Sequence, residues 1–379
     1  MPETDAPPPR PWPANRLGLD YRAEASRLGP PPKPIIDVHT HINGERAASV
    51  YAEVCDHFGV ALTYSQSQRE QALGVSRVLG DRVRFIAIPD YMAEDRGRAF
   101  RDGFLDNIRW FHGELGARVV KFWHAPRWYD LVDPDRDADL FAYDSEWRRK
   151  ALDLAHELGM MVMTHIADPD TWFQIRYSDA AKYGLKAAQY DPFKRMLKVY
   201  PETPWIAAHM GGWPENLDFL DELLGEHPNL HLDTSATKWM VRELSRHDAD
   251  RFASFMKRWR GRILFGSDIV TLDDHLEKSD EENKRFGAQQ AATESEAFDL
   301  YASRYWALRA MFETDYEGES PIADPDLHMV DPEGHTPMDA PKLVGRSLDK
   351  ELLKTLYHDA CRDVVIRWEA KQGLPKPIL

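Results

Sequence analysis

Ile35-Ile36-Asp37-Val38-His39-Thr40-His41 runs from two branched apolar residues into two histidines set two apart. The branched apolar start reads as a buried strand. In an extended segment residues i and i+2 share a face, so both imidazoles point the same way. Neutral imidazole is the commonest protein metal ligand. A His-x-His pair at the end of a buried strand therefore reads as half of a metal site, and the plainer alternative is a pair of solvated histidines in a loop.

Beyond this stretch, short apolar runs alternate with longer helical patterns. The strand expectations are Ile35–His39, Arg84–Ile88, Arg118–Trp123, Met161–His165, Trp205–His209, Leu230–Asp233 and Arg262–Phe265, with a weaker one near Val60–Thr63. Amphipathic helices are expected over Ser145–Leu158, Pro214–Leu224 and Trp239–Trp259. Nearly continuous apolar strands separated by helices imply a parallel sheet covered on both faces. Eight such units in about 240 residues fit a (β/α)8 barrel, whose active sites lie at the C-terminal strand ends. A doubly wound open sheet shows the same alternation.

The expected organisation has three parts: a Pro-rich N-terminal arm over residues 1–34, a barrel over 35–272, and a C-terminal helical extension over 273–379. Ten of the 26 prolines fall in the arm, which favours extended conformations. The arm is expected to wrap the domain or a neighbouring subunit, or to be a disordered tail over its first dozen residues. In the extension, Thr293–Phe312 reads as a long aromatic-rich helix and 313–347 as a meandering loop. Leu348–Glu369 reads as a last helix capped by Ser347.

The net charge of -15 argues against nucleic acid or an anionic membrane as the main partner. No apolar run approaches the roughly 20 residues that span a bilayer. No basic segment followed by an apolar one opens the chain, so a cytoplasmic location is the expectation. Cys55 and Cys361 are too few for a disulfide framework or a cysteine-rich metal site.

Four expected strands end in a polar residue after apolar ones: His39-Thr40-His41, Met163-Thr164-His165, Ala207-Ala208-His209 and Phe265-Gly266-Ser267-Asp268. A polar group at the end of a buried strand costs free energy unless it is paired. In a barrel the four ends converge on one axis. Three histidines and one aspartate make a nitrogen-rich set that suits Zn2+ best, with Fe2+, Mn2+ or Co2+ possible.

These motifs, with Ile36-Asp37-Val38 before the first pair, Met210-Gly211-Gly212 after His209, and Tyr357–Arg362 in the last helix, resemble the amidohydrolase superfamily. The resemblance is to the amidohydrolase-related branch that includes aminocarboxymuconate-semialdehyde decarboxylase. It implies a distorted TIM barrel with a metal at its mouth. By that resemblance His39, His41, His165 and Asp268 bind metal, and Asp268 also shuttles a proton. His209 is either a catalytic group beside the ligands or itself a ligand. Lys121 lies near the strand-4 position where binuclear members carry a carbamylated lysine, and its simpler role is to bind a substrate carboxylate or form an ion pair.

The leading expectation is hydrolysis of a small, carboxylated ester, lactone or amide by metal-activated water, with Asp268 and His209 catalytic. The alternative is non-hydrolytic decarboxylation of an aromatic or unsaturated acid, and a third reading is a barrel that binds without turnover. Trp123, Arg127, Arg176, Trp213 and Lys238-Trp239 follow the strands, and aromatics interspersed with cations suit a planar acid. Lys121, Trp123, Arg127, Arg176 and Trp213 are the expected substrate contacts. His156, His227 and His247 are expected to face solvent. A small-molecule substrate and a homodimer complete the expectations.

Overall fold

The computed structural model describes residues 12–133, 135–278 and 290–377. Nine strands form one sheet: β1 (Ile35–Ile42), β2 (Val60–Ser65), β3 (Val83–Ala87), β4 (Val119–Trp123), β5 (Met161–His165), β6 (Trp205–Ala207), β7 (Leu230–Asp233), β8 (Ile263–Leu264) and β9 (Ile269–Thr271). Their order is β8-β7-β6-β5-β4-β3-β2-β1-β9, and every pairing is parallel. β8 and β9 are two halves of one stave: β8 pairs with β7, β9 with β1. Between them, Val38 N–H donates to the Phe265 carbonyl at 2.9 Å and Asp268 N–H to the His39 carbonyl at 2.8 Å. The sheet thus closes on itself as a (β/α)8 barrel with a broken eighth stave.

Alternation along the strands sorts side chains between lumen and helices. Ile36, Val38, Leu62, Tyr64, Ile86, Val119, Met161, Met163, Ile206 and Leu264 fill the lumen as one apolar cluster. Ile35, Val120, Val162 and Leu232 belong to the layer against the helices. By strict alternation His39 and His41 would share the outward face of Ile35. Between Asp37 and Thr40, however, β1 advances three residues while β2 advances two, from Thr63 to Ser65. This β-bulge shifts the parity and turns both histidines to the mouth. Thr40 faces Thr63 instead, hydroxyl to hydroxyl at 2.8 Å.

The last helical segment closes the opposite end. Ala360, Cys361, Val365 and Ile366 join the lumen cluster, so the chain terminus plugs the barrel floor. Glu369, 2% exposed, pairs with Arg84 and accepts from the Tyr64 hydroxyl at 2.9 Å. Trp368 Nε1 donates to the Gly159 carbonyl just before β5. At the other terminus, Asn15 donates to Asp299, and Tyr21 and Ala25 are buried against the helix Glu294–Glu313. The arm therefore wraps its own barrel from residue 12 onward. The expected disordered tail falls mostly on residues 1–11, outside the described residues.

Four local expectations are corrected. The periodic run Trp239–Trp259 is two helices, Thr237–Leu244 and Ala249–Arg258, because the Asp248 carboxylate accepts from Asp250 and Arg251 N–H and starts a new helix. The last helix is capped by Asp349, which accepts from Leu352 N–H at 2.9 Å, whereas Ser347 lies upstream with φ +42°. The 313–347 segment contains an antiparallel ribbon, Glu317–Glu319 against Lys342–Val344, and a short helix, Pro325–Val330. His227 is buried, not solvated, and His247 Nε2 lies 2.7 Å from the Pro214 carbonyl oxygen. Among the described residues no helix is long and apolar enough to cross a membrane.

Candidate metal centre and active site

The strand ends place their polar residues in one cluster. His39 Nε2 and His41 Nε2 lie 3.3 and 3.1 Å from the same Asp268 oxygen. The ring centroids of His39 and His209 are 5.0 Å apart, as are those of His209 and His165. His39, His41 and Asp268 bring one ligand atom each within 4.8 Å of one another, as do His39, His209 and Asp233. His165 belongs to neither set: its Nε2 is turned to Asp168 at 3.0 Å, and Tyr177 donates to the other Asp168 oxygen. That leaves Nδ1 as the free ring nitrogen of His165.

Backbone geometry at the cluster is strained. His209 and Met210 take left-handed conformations, φ +57° and +49°, and Gly211 and Gly212 continue them. β6 therefore ends at Ala207, two residues before the expected boundary. Left-handed non-glycine residues cost about 1–3 kcal/mol each and persist where surroundings over-determine them. Asp268 is also left-handed, φ +62°, at the break between β8 and β9. Gly266 makes the break possible: a Cβ there would stand 3.0 Å from His39 Cβ and 3.2 Å from Ser235 Cβ.

Asp233 organises the cluster. Its carboxylate, fully buried at the end of β7, accepts from His39 Nδ1 at 2.9 Å, His209 N–H at 2.9 Å, Ser235 N–H at 3.0 Å and the Ser235 hydroxyl. The hydroxyl also lies 2.8 Å from His209 Nδ1. Because Ser235 gives its proton to Asp233, it accepts from His209 Nδ1–H. Both His39 and His209 then carry their proton on Nδ1 and present the Nε2 lone pair, the tautomer a ligating imidazole needs. This donor chemistry fits a divalent cation.

The electrostatics agree. Burial, then the neighbouring Lys121 charge, lowers the His39 pKa, and burial holds His209 well below the ordinary histidine range. Burial opposes ionisation of Asp268, but the His41 hydrogen bond and the His39 and His209 charges outweigh it and keep the carboxyl below its usual range. Lys121 Nζ sits 3.3 Å from His39 Nε2, and burial lowers its pKa to about 8. Asp37, raised to about 7 by burial, accepts from His39 N–H, Ser267 N–H and the Tyr305 hydroxyl, tying β1 to the broken stave.

Two indoles flank the imidazoles. Trp123 lies 6.0 Å from His165 with rings inclined 33°, and Trp239 lies 6.1 Å from His209 at 38°. The remaining expected contacts are farther out. Trp213 stacks on Tyr190 and packs on Phe219. Arg127 is half-buried, close enough to Tyr177 for its charge to act on that phenol. Arg176 is exposed over the Trp172 ring and beside Met329 Sδ, so the structure places it on the surface rather than with the cluster. Sequence reasoning passed over Asp233 and Ser235, although Asp233 ends an apolar strand as the other polar residues do.

A closed parallel barrel with imidazoles and a carboxylate converging at its C-terminal mouth defines a class of metal-site barrel proteins. A family model described as Amidohydrolase matches residues 60–359, and the chain belongs to that family. No curated protein matches the sequence. Among solved structures, it is similar to 2,6-dihydroxybenzoate decarboxylase from Rhizobium, at 13% identity over 85% of this chain and 99% of that one, TM-score 0.41. It is also similar to 5-carboxyvanillate decarboxylase from Novosphingobium aromaticivorans complexed with manganese and 4-hydroxy-3-methoxy-5-nitrobenzoic acid. There the identity is 10% over 91% of this chain and 97% of that one, TM-score 0.42.

Proposed function

We propose that the protein is a metal-dependent decarboxylase of a planar aromatic or unsaturated acid. The observation that carries this reading is the pair of indole faces, Trp123 and Trp239, on either side of the imidazole cluster, with the Lys121 ammonium against its edge. Aromatic walls suit a flat substrate, and a buried cation suits its carboxylate. His39, His41, His165 and Asp268 would hold the ion, with His209 as a further candidate. When bound, a divalent cation supplies a Lewis acid at the mouth. The nitrogen-rich set fits Zn2+ best and accommodates Mn2+, Fe2+ or Co2+.

The chain's own part is positioning and proton transfer. The indoles stack on the substrate plane, and Lys121 neutralises the carboxylate. Asp268, on the accessible side of the cluster with 28% of its side chain exposed, takes up a proton and delivers it to the carbon that loses CO2. The C–C bond breaks as the new C–H bond forms. Hydrolysis remains a second reading for one reason: Asp268 is held ionised beside the open mouth, the state in which a base begins.

Incubating metal-loaded protein with aromatic acids and, separately, with lactones separates the two. The expected result is CO2 release that falls by about a hundredfold or more in Asp268→Asn, the range for loss of general acid–base catalysis. Ring opening of a lactone with no CO2 from any acid would replace this reading with hydrolysis.

A further inference from the structure

Two cations at the mouth have no anionic partner among the described residues. Lys238 opens the first turn of Thr237–Leu244, and Thr237 Oγ1 pins that turn by donating to the Ser267 carbonyl, one residue before Asp268. Arg304 stands mid-way along Glu294–Glu313, the helix whose Tyr305 reaches Asp37 and whose Tyr301 reaches His275. Both side chains are half-buried. Arg304 spends Nη1 on its own helix, at the Leu300 carbonyl and Ser303 Oγ. Among the described residues neither cation lies within ion-pair distance of a carboxylate.

Desolvated cations are ordinarily paired, so the surplus calls for a physical reason. The described acids around them have other hydrogen-bond and ion-pair partners. Asp324 and Asp326 both face Arg242, and Asp326 also accepts from Trp172 Nε1 and Thr171 Oγ1. Asp299 accepts from Asn15. Asp268 faces His39 and His41, and its charge reaches Arg304. Burial lowers both, Arg304 to about 10, and the Arg304 charge further disfavours that of Lys238 while the Asp324 and Asp326 charges act the other way. A chain with net charge -15 thus has, among the described residues, two unpaired cations beside its candidate site.

We propose that Lys238 and Arg304 form an anion subsite on the β7–β9 side of the mouth that takes a second carboxylate of the substrate, making that substrate a planar diacid. One acid group lies at the cluster beside Lys121, and the other bridges Lys238 and Arg304. This rests on reading the mouth as a site for a planar acid. Arg176, an expected substrate contact that the fold carries to the surface, takes no part in it.

Calorimetric titration of the metal-loaded full chain with benzoate, isophthalate and terephthalate tests it. The expected result is that one of the diacids binds about tenfold or more tightly than benzoate, the scale of one charge-assisted contact. In Lys238→Met and in Arg304→Gln the diacid-to-monoacid ratio should collapse toward one. Among the described residues Lys238 makes no hydrogen bond or ion pair, so its replacement tests binding rather than folding. Equal affinities in the wild type, or a preference that survives both substitutions, would overturn the subsite. A diacid preference in a protein that releases no CO2 from any acid would uphold the subsite and remove the decarboxylase reading. CO2 release with no diacid preference would do the reverse.

Discussion

The two ends of the barrel bury polar groups in opposite ways. At the floor Arg84 pairs with Glu369, which also accepts from the Tyr64 hydroxyl, among apolar side chains under the last helix. At the mouth, four histidines, Asp233, Asp268 and Lys121 crowd together, with His209 and Asp268 on left-handed backbone. The floor is built to stay shut. The mouth gathers groups whose donor chemistry fits a cation, and strain is retained there because hydrogen bonds to Asp233 and Asp37 fix it. The comparison teaches that stability and chemistry occupy different ends of the same strands.

The strongest way to break this contrast is at the mouth. His39→Ala with His41→Ala should abolish metal retention, read by elemental analysis of purified protein, and should bring activity close to zero. Its urea midpoint in chelator should stay near that of chelated wild type. Equal metal content in the two proteins would remove the assignment. Next in size is Glu369→Ala at the floor. Removing one partner of a buried pair leaves Arg84 uncompensated and typically costs about 3–5 kcal/mol. Urea unfolding should show that loss, with metal content of the folded protein unchanged. Replacing both partners with apolar residues, Arg84→Met with Glu369→Leu, should recover much of it.

A third test uses pH. His231 is buried in the lumen, its Nδ1 3.2 Å from the Trp205 carbonyl oxygen, and burial, then Arg262, lowers its pKa to about 4. The unfolded side chain titrates near 6.5, so as pH falls below 6.5 the unfolded state takes up a proton that the folded state refuses. Stability is intact above 6.5 and declines toward pH 4, by about 3 kcal/mol from this group. Chemical denaturation of wild type and His231→Leu at pH 7.5 and 4.5 should show the smaller pH dependence in the variant. Equal pH dependence in both would mean that His231 is protonated in the folded chain.

Much of this architecture is legible in the sequence because parallel strands are apolar on both faces, so a polar residue at a strand end stands out. His39, His165, His209 and Asp268 are all visible that way. The bulge in β1 is not, since alternation from Ile36 and Val38 would send His39 outward, and only pairing with β2 shows the extra residue. Asp233 carried the same mark as the others, yet its role depends on contacts with β1 and β6 that strand patterns do not encode. Ser347 and Asp349 are both good cap formers, and local chemistry alone does not choose between them. Arg304 was silent because its place at the mouth is set by how a distant helix packs against the first and last staves.

The smallest expected effect lies one layer outside the cluster, where the mouth borrows the matched pairing of the floor. Glu215 accepts from Trp239 Nε1 at 2.9 Å and from Asp170 N–H at 3.0 Å, and its other oxygen lies 3.4 Å from Lys186 Nζ. Lys186 in turn sits over the Trp213 and Trp239 rings. This network holds the indole wall beside His209 without touching the ligand cluster. Glu215→Gln keeps the shape but removes one of the two carboxylate charges that hold Lys186, the other being Asp170 at 2.7 Å, so Trp239 should lose part of its fixed orientation. KM for an aromatic acid should rise about tenfold, equivalent to one charge-assisted hydrogen bond, while kcat stays within about twofold. A fall in kcat with KM unchanged would mean that Trp239 acts on the reacting atoms instead of on substrate placement, and the wall would belong to the chemistry rather than to the scaffold around it.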